Sequence, residues 1–434
     1  MSVTDAPLPL KLQAGHVTIT PQERMPLAGL TLREGSFQEV ADPLEINVAI
    51  LTHGQRQVVF LSVDTLFVGD TLYRAISEVV ADRLGKDDIS ILVAASHTHF
   101  APSLDETKPL LGPVNTGYQD YVLSQWTAAI DRIANRTPIL CNGFRFREQA
   151  NHTMNRRRLD LCLNKRGVCR KTRMAPNSNG PRDEWIRGVV FKDSLGQVQL
   201  VIWNFACHPV EFPRQDHVSA DFPGVVRTTI RHIFGNHVPV IFLQGFSGDV
   251  RSNLIGFPKR LRMCLSGFLN GPEFVPVSDS KFANWSKSLA AVVGNACQNH
   301  APLPSIPLMD SLERTLPLNY LMDGDVSSRE FTIRRVDLFD DVVLLGMSAE
   351  TVTEYGDTVR QLFPDKMVLG TGCLPNTFGY LPTQSMLASG GYEVDGFLEP
   401  FSLQATFRKD FETVVVEQLQ QIANTQGEPV RASA

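Results

Sequence analysis

Five stretches of this chain share one pattern: an apolar run that stops at a residue able to do chemistry. VVFLSVD stops at Asp64, ILVAASH at His97, VQLVIWNFACH at His208, VPVIFLQGFSGD at Asp249 and VVLLGMSAE at Glu350. Short apolar runs bounded by polar residues read as buried strands. Between them, residues 71–84, 118–134, 222–234, 285–298 and 351–363 carry apolar side chains at helical spacing and read as amphipathic helices. Strands alternating with helices confine the chain to an α/β fold with a central mixed, largely buried sheet flanked by helices. In such sheets ligands bind beyond the carboxyl ends of strands. The residues that end the runs should therefore meet along one edge.

The 434 residues are 43% hydrophobic and 20% charged, an ordinary composition for a globular protein. No linker rich in Pro, Ser or Gly divides them. The expectation is a single catalytic domain over 1–434, with an ordered core from 14 to 424 and a flexible tail over 425–434. A net charge of −5 and a pI near 6.1 argue against nucleic acid or stable membrane association and leave a small-molecule substrate as the expected partner. Self-association into a homo-oligomer is left open. No apolar run reaches the ~18 residues of a membrane span, and MSVTDAPLPLKLQ has no signal-peptide pattern. These features point to the cytoplasm. The seven cysteines (141, 162, 169, 207, 264, 297 and 373) are scattered without a CxxC pair, so reduced thiols are expected. Residues 164–187 are basic and rich in turn formers, and read as a surface loop or hairpin. Residues 256–276 form a second irregular stretch, a candidate lid.

Ser96-His97-Thr98-His99 places two imidazoles at the end of one strand-like run. Imidazoles there suit metal ligation or acid–base chemistry. A catalytic zinc takes N, O or S protein ligands and keeps a position open for water or substrate. His97, His208 and Glu350 each end a separate run and could face one metal; equally, each could be a satisfied polar residue at a strand end. Cys207 neighbours His208, but adjacent strand residues face opposite ways, which favours a buried structural thiol. His217 and Asp221 read as supporting or solvent-facing groups. The turn Gln244–Asn253 contains glycines that allow close backbone approach to a ligand.

In order along the chain, AGHVTITPQERMPLAG, ASHTHFAPS, NFACHPVEF, QGFSGDVRSN, GMSAETVTEYG and NTFGYLPTQSMLASGGYE resemble the segments of the neutral/alkaline (non-lysosomal) ceramidase family, zinc-dependent amide hydrolases. The resemblance runs from about His16 to about Glu393. It implies one zinc per chain, held by His97, His208, Glu350 and Tyr380. It makes His99 a neighbouring acid–base group, Tyr392 a donor to the developing oxyanion, and Arg156 of the Asn155-Arg156 pair a substrate-binding or transition-state-stabilising residue.

Several positions depart from that family. Arg251 stands where the family has a serine implicated in catalysis, and Ser252 where it has proline. Phe100 and Ala101 replace small polar residues after SHTH, and Arg157-Arg158 replace Ser-Pro. The family's membrane-exposed members also carry a C-terminal β-sandwich, a domain this chain is not expected to carry. Arg251, Ser252, Phe100 and Arg157 are therefore the expected substrate-binding residues, and the arginines suggest an anionic group on the substrate. The expected function is zinc-dependent hydrolysis of a C–N amide bond in a small molecule. Alternatives are a tailoring enzyme that opens a lactone or ring or forms an amide, then a true ceramidase or a non-catalytic relative.

Overall fold

The computed structural model describes residues 9–31, 33–85, 89–164, 167–256, 271–303 and 306–425. Period-two alternation within its strands sets the layering. Along Arg56–Val63, Val58 and Phe60 enter one core while Val59, Leu61 and Val63 enter another. Along Val198–Phe205, Leu200 and Ile202 face the first core and Val201, Trp203 and Phe205 a third. Strands apolar on both faces need cover on both.

The large sheet runs in the order Val240–Gln244, Val198–Phe205, Trp185–Asp193, Ile139–Gln149, Leu10–Thr18, Glu45–His53, Arg56–Val63, Ile89–Ala95. It is mixed, as expected. Arg56–Val63 lies parallel to Ile89–Ala95, and Val198–Phe205 lies parallel to Val240–Gln244. Each parallel pair is joined through a helix, Asp70–Leu84 or Asp221–Phe234, as parallel neighbours require. These two helices, with Thr116–Ala134 and Asp279–Gln298, cover one face of the sheet: Ile76 and Trp126 pack with Leu61, and Phe222 and Leu289 with Trp203.

The other face is covered by a second sheet, in the order Pro307–Pro317, Glu330–Phe339, Val342–Met347, Met367–Thr371. Phe60, Leu92, Ile202 and Leu243 meet Val336, Leu344 and Leu369 between the sheets. Helices Glu354–Leu362 and Phe411–Asn424 close the outside through Tyr355, Val359, Val415 and Leu419. The layers are thus helix, sheet, sheet, helix. The large mixed sheet is flanked by helices, as expected, while the run ending at Glu350 belongs to the second sheet. Alternation shows that a strand is covered twice but not what covers it.

The basic stretch 164–187 contributes one strand, Gly167–Asn177, of a hairpin whose other strand, Thr153–Asn164, precedes it. Cys162 and Cys169 lie directly opposite each other there, with Cα atoms 5.2 Å apart, and form a disulfide. This corrects the expectation of reduced thiols for that pair: a tight hairpin brings into register two cysteines that spacing alone leaves unrelated. Cys141, Cys207, Cys297 and Cys373 are free and buried. Cys264, most of 256–276 and the 426–434 tail lie outside the described residues. No helix among the described residues is long and apolar enough to cross a membrane.

Candidate metal centre

Three imidazoles converge because a backbone carbonyl fixes each ring from behind. His97 follows the strand Ile89–Ala95 with φ 65°, a left-handed conformation unusual outside glycine. Its Nδ1 lies 3.1 Å from the Leu66 carbonyl. His208, just past Val198–Phe205, sets Nδ1 2.9 Å from the Ser247 carbonyl. His99 sets Nδ1 3.0 Å from the Gly29 carbonyl. Gly29 has φ +102°, and a Cβ there would lie 2.5 Å from His99 Nδ1, so glycine is required. A carbonyl at Nδ1 calls for the N–H there and leaves the Nε2 lone pair free.

Those lone pairs face one another. His97 Nε2 lies 3.1 Å from His208 Nε2. Glu350 Oε2 lies 3.3 Å from the first and 3.1 Å from the second. His99 Nε2 is buried and has no hydrogen-bond partner among the described residues. The ligand atoms of His97, His99 and His208 fall within 4.8 Å of one another. Acceptors gathered in a dry pocket repel unless positive charge lies among them, and a divalent cation meets that need. The donor set therefore fits a metal ion such as zinc.

The local electrostatics agree. Burial lowers His208 to about 4, helped by the Arg156 charge. Burial together with the neighbouring histidines holds His99 well below its ordinary value. Burial raises Glu350, but the adjacent His97 and His208 outweigh it and hold the carboxyl well below the usual range. His99 and His208 are thus set to be neutral and the carboxylate ionised, as metal ligands need. Burial of His97 is instead outweighed by Cys373 and Glu350, which hold its ring well above the ordinary value, so that a bound cation would have to displace its proton.

Glu350 heads the short strand Glu350–Thr351, which pairs in parallel with Tyr380–Leu381 and sets Glu350 opposite Tyr380. Arg156 Nη2 donates to Tyr380 Oη at 3.1 Å and its Nε donates to Glu393 Oε1 at 2.9 Å. The Tyr380 and Tyr392 rings lie 5.4 Å apart, and the Arg156 guanidinium sits 5.6 and 5.9 Å from them. Burial, then Glu350, raises Tyr392 to about 12. His97, His99, His208, Glu350, Tyr380, Tyr392 and Arg156 thus form one connected group.

The residues at which the chain departs from the ceramidase pattern are placed differently. Phe100 is buried against Phe212, with Arg33 over its ring. Arg157 is buried and donates to Glu393, Ser389 and the Gly390 carbonyl. Arg251 donates through Nε to buried Glu211 at 2.7 Å and stacks on Phe274. Ser252 is fully buried, and its hydroxyl accepts from Leu254 N–H. Each of these four side chains is already engaged within the protein. Asp64 is bound to Arg227 and stays outside the centre. Asp249 is buried and accepts from Thr353 and Asn155, holding the glycine-containing turn to its neighbours. His217 contacts Asp216 and Glu39, and Asp221 accepts from the N–H groups of Glu211, Phe212 and Phe222.

Sequence reading missed Glu393 and Gly29. Glu393 neutralises two buried arginines 236 and 237 positions away, a pairing no local pattern shows. Gly29 lies in a segment that could be read only as a loop.

Fold and site together define a four-layer α/β protein with a histidine–carboxylate centre ready for a metal. Among solved structures, the chain is similar to neutral ceramidase from Pseudomonas aeruginosa, with TM-score 0.72 and 13% identity over 99% of this chain and 76% of that one. It is also similar to a ceramidase complexed with C2, with TM-score 0.71 and 13% identity over 96% and 75% of the two chains. The fold is ceramidase-like across nearly the whole chain. No family model matches the sequence, and no curated relative matches it.

Proposed function

We propose that this chain is a zinc-dependent hydrolase that cleaves a C–N amide bond of a small molecule. The observation that carries the reading is the convergence of three Nε2 atoms and one carboxylate oxygen on one buried point. His97, His208, Glu350 and Tyr380 would hold the ion. When bound, zinc supplies a Lewis acid and lowers the pKa of water toward ~7.

The chain's own groups do the rest. His99 is locked by Gly29 with Nε2 turned to the centre, where it takes the proton of the attacking water and passes it to the leaving nitrogen as the C–N bond breaks. Tyr392, raised to about 12, stays protonated at neutral pH and donates to the carbonyl oxygen as negative charge develops there. Arg156 is held in place before substrate arrives by Glu393 and Tyr380. Arg251 would meet an anionic group on the substrate through the guanidinium nitrogens that Glu211 does not take.

The test is turnover on a panel of N-acyl compounds, with and without chelation and zinc restoration. Amide cleavage that disappears on chelation and returns with zinc supports the reading. Turnover of lactones with no amide cleaved would overturn it in favour of a tailoring enzyme.

A further inference from the structure

The hairpin Thr153–Asn164/Gly167–Asn177 displays large apolar side chains to solvent. Leu159, Leu161, Val168 and Met174 are 51%, 50%, 72% and 45% exposed. They share one face. Leu159 pairs with Thr172 and Leu161 with Arg170, and residues directly opposite in an antiparallel pair project to the same side. Val168 and Met174 lie at period-two positions from Arg170 on its strand. The lower part of that face is covered where Thr172 donates to the Ser389 carbonyl. Farther out, the apolar side chains and Arg170 face water.

Charge decides what such a face would meet. Residues 153–177 contain eight Lys and Arg and one acidic residue. Arg156 and Arg157 are buried against Glu393, and Arg158 and Arg173 pair with Asp160, so among the described residues the outward charge rests on Arg170 and Lys171. Arg170 shares the apolar face and Lys171 projects from the opposite one; both are exposed, and neither makes an ion pair or side-chain hydrogen bond among the described residues. Lysines and arginines flanking exposed leucines and valine suit the boundary between lipid headgroups and acyl chains. Nucleic acid would use the cations but gains little from exposed aliphatic side chains and needs aromatic platforms, which this hairpin lacks.

We propose that this hairpin docks the protein on an anionic lipid surface, with Leu159, Leu161 and Val168 entering the headgroup boundary and Arg170 and Lys171 meeting the lipid phosphates and carboxylates. The inference is independent of the reaction proposed above. It runs against the expectation drawn from net charge, because an average over the chain conceals one strongly basic element. The base of the hairpin carries Asn155 and Arg156, the latter five residues from Leu161 along the strand, so docking would hold the metal centre roughly 17 Å or more from the anchored side chains.

The full chain should be co-sedimented with vesicles of phosphatidylcholine alone and of phosphatidylcholine mixed with phosphatidylserine. Binding is expected only to the anionic vesicles and should weaken as salt rises. The double change Arg170→Ala/Lys171→Ala should weaken it about 25-fold, near fivefold for each cation. Leu161→Glu/Val168→Glu should abolish it. All of these positions are exposed, so circular dichroism and metal content should be unchanged in the variants. Failure of the wild type to bind anionic vesicles, or equal binding by the variants, would overturn the proposal. So would a concentration-dependent dimer dissolved by Leu161→Glu with no vesicle binding, which would assign the face to a second copy of the chain.

Discussion

Replacing Glu393 tests how the arginines beside the centre are held. Glu393 is 2% exposed, and Arg156 and Arg157 are 4% and 9% exposed. One carboxylate serves both: Oε1 accepts from Arg156 Nε at 2.9 Å and Oε2 from Arg157 Nη1 at 2.5 Å. Removing one member of a buried ion pair typically costs ~3–5 kcal/mol, because the remaining charge stays buried without its partner. Here each arginine keeps other acceptors, Tyr380 for Arg156 and Ser389 with Gly390 for Arg157. That places Glu393→Ala near the lower end, at ~3 kcal/mol. Glu393→Gln keeps an acceptor of the same shape and should lose ~2 kcal/mol. Urea unfolding of the three proteins, read at constant m, measures both values. Because Glu393 is not among the proposed ligands, metal content should persist while kcat falls through the misplaced Arg156. An unfolding free energy for Glu393→Ala within ~0.5 kcal/mol of wild type would refute the argument that this carboxylate holds the group together.

Other outcomes follow from single contacts. Gly29→Ala should displace His99, whose Nδ1 the new Cβ would approach to 2.5 Å, and lower kcat while the metal analysis stays at wild-type level. Loss of metal in that variant would instead make His99 a ligand. Tyr392→Phe should lower kcat about 10²–10³-fold with little change in KM, as loss of an oxyanion donor does. Burial raises Asp221 from 3.8 to about 7 against three backbone N–H donors. A carboxyl raised in the folded state contributes stability that is fully present below its unfolded value and is lost as pH rises through its folded value. Urea unfolding between pH 4 and 7 should therefore show wild type losing ~3 kcal/mol relative to Asp221→Asn; parallel pH profiles would contradict this. Under non-reducing conditions, Cys162 and Cys169 should resist alkylation in the denatured chain, and mass spectrometry of the labelled peptides checks it.

Much of the fold was legible because period-two runs and helical stretches are local patterns. The mixed large sheet, its covering helices and the arrival of His97, His208 and Glu350 at run ends all come from such patterns. The second sheet was not legible, since Val342 and Leu344 look alike whether helix or sheet covers them. The site was legible as residue types and not as partners. Arg157 and Arg251 announce charge, but Glu393 and Glu211, which neutralise them, are specified only by the tertiary fold. The same limit hid the disulfide, which depends on hairpin register, and the basic hairpin, which depends on where charge is concentrated.

The proposed function stands or falls on whether the histidine–carboxylate cluster holds a catalytic metal. Elemental analysis of the purified chain beside His97→Ala and His208→Ala, paired with turnover of an N-acyl substrate, tests it most directly. One zinc per chain is expected in the wild type, with both metal and turnover lost in each variant. A metal-free wild type with full activity, or variants that keep stoichiometric zinc, would contradict it.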